Sequence, residues 1–159
     1  MARRQKDISI ILHNIRSAKN VGSIFRTADA AGVSCIYLTG YTPTPLDRFG
    51  RKRPDIAKTA LGAENAISWE YSRNPSSVIQ KLKQVDTSVV AVEQHKDADD
   101  YKKFELSTST TFVFGNEVSG LSPALIKKCD RVIEIPMHGD KESLNVSVAA
   151  GIVLFHARQ

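Results

Sequence analysis

A chain of 159 residues with 42% hydrophobic and 25% charged side chains is long enough to bury one core and too apolar to stay disordered, so residues 1–159 read as a single domain. The formal net charge of +5 and pI near 9.3 favour a polyanionic partner without requiring one. Cys35 and Cys129 are isolated and the four histidines are scattered, which excludes a disulfide framework and a metal-ligand spacing; a reducing compartment and no metal are expected.

The start, MARRQKDISIILHN, holds only a five-residue apolar run, Ile8 to Leu12. That is too short for a secretory core or a membrane span, so a cytoplasmic protein without a membrane segment is expected. The run itself reads as a buried strand. In Asn20 to Ala31, Val21, Ile24, Phe25, Ala28 and Ala31 recur at helical spacing, and Gly32 is placed to stop the helix. Gly22, Arg26 and Asp29 stack on the opposite face, where Gly22 leaves room for a bulky group beside Arg26. An arginine on a merely solvated face is the other reading. Ser34 to Thr39 is the next strand, completing the strand-helix-strand unit of a parallel sheet.

Gly40 to Pro54, GYTPTPLDRFGRKRP, is a long loop. Its cations Arg48, Arg51, Lys52 and Arg53, with Tyr41 and Phe49 nearby for stacking on bases, make it a candidate RNA-binding element. A solvated charged loop is the alternative. A short helix follows at Asp55 to Leu61, then a strand at Ala66 to Tyr71, a helix from Pro75 to Gln84 and a strand at Ser88 to Val92. Glu93 to Glu105 is polar and reads as a surface segment.

The strand Thr110 to Phe114 runs into Gly115-Asn116-Glu117-Val118-Ser119-Gly120-Leu121-Ser122, with a helix starting near Pro123 under a Ser122 cap. Glycines five apart suggest a phosphate loop, but Leu121-Ser122 stands where Lys-Ser/Thr is needed, so that reading fails. A loop at the carboxyl end of a parallel strand is still a common ligand site, and Glu117 is its conspicuous polar residue. Arg131 to Ile135 is a strand stopped by Pro136. Met137 to Glu142 forms a loop, and Ser143, Leu144 and Asn145 lead into a helix, roughly Asn145 to His156. That helix is apolar on more than one stripe and should be buried nearly all round. A second copy of the chain is the simplest extra cover.

Three of these segments resemble, in order, the motifs of the SpoU class of RNA ribose 2'-O-methyltransferases in the SPOUT superfamily, with a TrmH-type catalytic domain. They are Asn20-Val21-Gly22-Ser23-Ile24-Phe25-Arg26, Phe114 to Leu121, and Ile135-Pro136-Met137 continuing to Ser143-Leu144-Asn145-Val146-Ser147-Val148-Ala149. The resemblance covers nearly the whole chain. It implies an α/β fold, a mostly parallel sheet with helices on both faces, whose carboxyl-terminal segment threads a trefoil knot. No pattern reading would find the knot, because knots are excluded by default.

The resemblance further implies S-adenosylmethionine as cofactor, RNA (tRNA or rRNA) as substrate, no metal, and a homodimer whose site draws on both protomers. Backbone at Gly115, Ile135 and Leu144 is then the cofactor-binding set. Arg26 matches the arginine that acts on the ribose hydroxyl; because a guanidinium stays protonated, it suits holding a phosphate or a developing alkoxide better than acting as base. Asn20, Glu117, Ser143 and Asn145 complete the candidate catalytic set by orienting arginine, substrate or cofactor loop. Each also reads as a cap or turn residue. Relatives with known RNA specificity often carry an added RNA-binding domain; none is expected here beyond the short MARRQK start. Two alternatives from the same motifs are an RNA-binding protein without catalysis and an enzyme that methylates a base.

Overall fold

The computed structural model describes residues 6–106 and 108–159, so most of the MARRQK start lies outside the described residues. Seven parallel strands form one sheet in the order β3-β2-β1-β6-β4-β7-β5. They are β1 Ile8–His13, β2 Cys35–Thr39, β3 Ser68–Ser72, β4 Ser88–Val92, β5 Asp99–Asp100, β6 Thr110–Phe114 and β7 Arg131–Glu134. The central strands read as continuous apolar runs because both faces are covered. Ile8, Ile10 and Leu12 of β1 join the core on one face, and Ile11 joins a second core on the other. Ser9, the polar residue in that run, is buried and shares a 2.6 Å hydroxyl contact with Thr111.

One face carries α1 (Ala18–Ala30) and α6 (Val146–Ala157), with α2 (Pro54–Ala60) and α3 (Ala63–Ala66) beside them. The other carries α4 (Pro75–Gln84) and α5 (Pro123–Lys128). Their starts follow ordinary capping chemistry. Ser17, Asn74, Ser122 and Asn145 each accept a backbone N–H of the first turn, and Pro54, Pro75 and Pro123 open helices where no donor is missed. Gly32 follows α1 at φ +73°, and the Arg158 guanidinium donates to the carbonyls of Ala31 and Gly32 there. No helix among the described residues is long and apolar enough to cross a membrane.

Three expectations need correction. Gly22 is buried, so it does not share the exposed face of Arg26 and Asp29. A Cβ there would stand 2.4 Å from the Ile56 carbonyl and 2.0 Å from Thr59 Oγ1, so the space it leaves is filled by α2, not by a ligand. The strand expected from Ala66 begins at Ser68; Ala63–Ala66 forms a helical turn instead, as alanine favours helix and disfavours strand. The segment 93–105 is more than surface. It supplies edge strand β5, paired with β7 at Asp99 and Asp100, and seats Phe104 edge-on against Phe112 with ring centroids 5.5 Å apart. Within one chain α6 buries Val146, Ala150, Val153 and Leu154 and leaves Val148 and Phe155 half exposed.

The Gly22 contact generates a paired test. Gly22→Ala should destabilise the fold by about 1–3 kcal/mol, because a backbone carbonyl must move. Gly151→Ala meets only the Thr27 methyl at 3.6 Å and should be neutral or slightly stabilising, since alanine favours the helix. Urea denaturation of both variants measures the difference.

Candidate active site

The carboxyl ends of β4, β6 and β7 lie side by side, and the loops leaving them enclose a cleft. Phe114 to Val118 and Gly120 form one wall, Ile135, Met137, Ser143, Leu144 and Val146 another, and Val92, Glu93 and Gln94 the floor between them. Among its lining residues Glu93, Glu117 and Glu134 are acidic and none is lysine or arginine. In a chain of formal charge +5 this cleft is thus anionic, which suits a ligand bearing positive charge.

Gly115 is fixed by space. A Cβ on it would stand 2.7 Å from the Gly120 carbonyl carbon and 2.8 Å from the Leu121 side chain, because residues 116 and 120 bridge back on each other. Asn116 pins this loop: its Oδ1 accepts the Val118 and Ser119 N–H groups at 2.9 Å, and its Nδ2 donates to the Asn14 carbonyl and to Tyr41 Oη, both at 2.9 Å. Glu117 then reaches the start of α1. Its carboxylate accepts the backbone N–H of Arg16 at 2.9 Å and of Ser17 at 3.0 Å, and lies 3.4 Å from Asn20 Nδ2. Burial opposes the charge on Glu117, but these donors outweigh it and hold the carboxyl below the ordinary glutamate value.

Asn20 continues the chain of contacts: its Oδ1 accepts from Asn145 Nδ2 at 3.3 Å, while Asn145 Oδ1 caps α6 through the Ser147 N–H at 2.9 Å. The structure therefore brings Asn20, Glu117 and Asn145 together from three distant parts of the sequence, with Ser143, Leu144, Gly115 and Ile135 around the adjoining cleft. It does not bring Arg26 to them. Arg26 is exposed, and lines a separate shallow depression with Ser23, Thr27, Lys58 and Phe155. Among the described residues its guanidinium makes no ion pair or hydrogen bond to the rest of the chain.

Two cleft residues, Glu93 and Gln94, escape a sequence reading because they open a segment with no apolar pattern. Glu93 Oε2 accepts the Leu121 N–H at 2.8 Å, and Gln94 Nε2 donates to the Ile135 carbonyl at 2.7 Å. Their position after the apolar strand β4 was the available signal. Burial pushes the Cys35 and Cys129 thiols up to about 11, which disfavours the reactive thiolate. Among the described residues no cluster of three or more His, Cys, Asp and Glu could hold a metal.

In the loop 40–53 two of the four cations are paired within the chain. Arg51 pairs with Asp47 and Arg53 with Asp55, each at 2.9 Å, and the Arg48 and Arg51 guanidinium carbons stand 4.7 and 5.0 Å from the centre of the Phe49 ring. Lys52 bridges back to Leu46 across the turn.

The family model described as the SpoU rRNA Methylase family matches residues 7–155. The chain belongs to that family. A tRNA (guanosine(18)-2'-O)-methyltransferase of Aquifex aeolicus is 32% identical to this SpoU chain over 159 residues, 100% of this chain and 72% of that protein. The 23S rRNA (guanosine-2'-O-)-methyltransferase RlmB of Neisseria meningitidis is 31% identical over 150 residues, 94% of this chain and 57% of its own length. Among solved structures, the A. aeolicus TrmH/SpoU tRNA modifying enzyme superposes with a TM-score of 0.84 at 30% identity, over 98% of this chain and 75% of that one. The SpoU methyltransferase AviRb from Streptomyces viridochromogenes, solved in complex with AdoMet, gives 0.86 at 26% identity, over 99% and 61%.

The Glu117 contacts generate a pH prediction. A carboxyl more acidic folded than unfolded contributes stability above the ordinary glutamate value, and that contribution is lost as the pH falls through the folded value. Glu117→Gln should therefore lower the urea midpoint at neutral pH and show less further loss on acidification toward pH ~3 than the parent does. Parallel acid limbs for parent and variant would mean that the carboxylate makes no such contribution.

Proposed function

We propose that this SpoU chain is an RNA methyltransferase that moves a methyl group from S-adenosylmethionine to a ribose 2'-hydroxyl of tRNA or rRNA. The observation that carries the reading is the anionic cleft at the ends of β4, β6 and β7, joined through Asn145 and Asn20 to Glu117. Its donor set fits the cofactor. S-adenosylmethionine carries a sulfonium and an ammonium, which Glu93, Glu117 and Glu134 complement, while Ile135, Met137, Leu144 and Val146 offer apolar cover for an adenosine. Backbone at Gly115, Ile135 and Leu144 would hold it. When bound, it supplies a methyl group already activated on a positively charged sulfur, so no metal is required.

The chain's own residues must position the ribose and manage the charge that develops on its oxygen. Asn20 and Asn145 stand next to the cleft, linked to its Glu117 and held by the α6 cap. Ser143 offers a hydroxyl at the mouth. Glu117 is engaged by Arg16 and Ser17 N–H groups, so its work is to fix the first turn of α1 and the Asn20 amide, not to accept a proton. Arg26 supplies the cation, holding a neighbouring phosphate and stabilising the oxygen as it passes its proton to solvent water.

Because Arg26 lies outside the cleft of its own chain, we propose a homodimer in which the arginine of one protomer completes the cleft of the other. The half-exposed Val148 and Phe155 of α6, with Leu61 and Ala30 near Arg26, provide apolar surface for such contact. The trefoil knot belongs to the same reading: β7 enters the sheet between β4 and β5, and the chain then passes the 115–120 loop before α6 packs across α1. A cytoplasmic setting fits this reading.

Arg26→Ala should keep folding and S-adenosylmethionine affinity but lose on the order of 10²-fold or more in turnover. Asn145→Ser, which retains a capping side chain, should also be weak. Mixing the two inactive variants should restore about a quarter of the parent activity if each site draws on both protomers, since half of randomly mixed dimers then contain one intact site. No restoration in subunits shown to exchange would place Arg26 within its own chain's site; an alanine variant within about threefold of the parent would remove it from catalysis altogether.

A further inference from the structure

The loop 40–53 and the edge strand β3 together build a feature that neither shows alone. Tyr41 and Phe49 from the loop, and Trp69 and Tyr71 from alternate positions of β3, line one broad trough with Arg48 and Arg51. Tyr41 is 60% exposed, Phe49 66% and Tyr71 51%, an unusual density of accessible rings in a chain with 7% aromatic residues. The trough is built, not incidental. Tyr71 Oη donates to the Gly40 carbonyl at 2.8 Å, the Asp47 carboxylate accepts the Phe49 and Arg51 N–H groups, and Asn14 Oδ1 accepts the Tyr41 N–H at 3.1 Å.

We infer that this trough is a docking site for an unstacked nucleobase of single-stranded RNA, flanking the nucleotide presented to the cleft. The inference rests on the RNA-methyltransferase reading for the identity of the polymer. Open rings, and guanidiniums laid over a ring as those of Arg48 and Arg51 are over Phe49, are the surface on which bases stack, and every base offers a π-face, so the site tolerates sequence. Lysine-rich phosphate surfaces lack those rings. Excess positive charge in the loop supplies the complement to the adjoining phosphates, even with Arg51 and Arg53 partly neutralised by Asp47 and Asp55. The trough also touches the cleft: Tyr41 Oη accepts from Asn116 Nδ2 at 2.9 Å, and Asn116 pins the loop that carries Glu117. A base stacked on Tyr41 therefore sits one hydrogen bond away from the cofactor loop, which would place its neighbour at the reacting position.

The chain carries its own reporter, because Trp69 is its single tryptophan. Titrating the full chain with a short oligoadenylate should quench tryptophan fluorescence saturably, whereas a ribose-phosphate chain of the same length without bases should bind more weakly and quench little. Phe49→Ala, a change at an exposed ring outside the core, should weaken oligoadenylate binding by roughly fivefold or more and leave the baseless chain unaffected. Arg48→Gln should reduce the salt dependence for both polymers. Equal affinity for the two polymers would overturn the proposal, leaving a phosphate-binding surface only. Absent quenching in a protein that methylates RNA would overturn it too, without touching the catalytic reading. Base-dependent quenching in a protein that transfers no methyl group would support the trough and remove that reading.

Discussion

The contact on which the rest of this site depends is the carboxylate of Glu117 against the start of α1. It ties the loop leaving β6 to backbone N–H groups a hundred positions earlier, at Ser17, and does so with a charge held below the ordinary glutamate range by those same donors. A helix start needs acceptors for its first N–H groups and favours negative charge, so the contact satisfies both ends at once. From it follow the orientation of Asn20, the reach of Asn145 to Asn20, and the placement of α6 on α1. The loops that form the cleft are thereby cross-braced by groups that also serve as caps. That dual role explains why the same asparagines and serines read from sequence either as turn chemistry or as a site.

Electrostatics divides the molecule into two zones. The cleft is acidic and apolar, a setting for a cationic small molecule. The trough beside it is aromatic and basic, a setting for a polyanion with flat bases. The two meet at the Tyr41–Asn116 hydrogen bond. A protein that must bring a sulfonium cofactor to a ribose within an anionic polymer needs both environments within a nucleotide of each other, and needs them separate. The overall charge of +5 conceals this arrangement, since it averages over surfaces of opposite sign.

Arg26 shows how a residue can be correctly placed on its helix and still be incomplete within one chain. Its exposure and its distance in character from the Asn20–Glu117–Asn145 cluster are consequences of the same helix: six positions beyond Asn20, it points to another side. Phe155, left half open on α6, lies on that side. In our proposal one surface thus serves both assembly and catalysis, so that an isolated protomer would carry a cofactor cleft without its cation.

The sequence by itself determined the parallel α/β fold, the starts of α4, α5 and α6, and the motifs that carry the family resemblance, because apolar periodicity, prolines and capping side chains are local physics; α1 begins at Ala18 under a Ser17 cap, two residues before the expected Asn20. It also marked Asn20, Glu117 and Asn145, though not that they touch. Only the tertiary structure decided what fills the space at Gly22, because the answer is the Ile56 carbonyl of a helix thirty-odd residues on, and a missing Cβ looks the same whether a ligand or a backbone approaches. It alone decided that Glu93 and Gln94 line the cleft and that Asp99–Asp100 is a strand, since a polar run shows no period and gains its structure from β7. And it alone joined Trp69 and Tyr71 to the loop aromatics, for edge strand β3 lies next to β2 only once the sheet is formed, and pairing between strands is not written in either strand's own pattern.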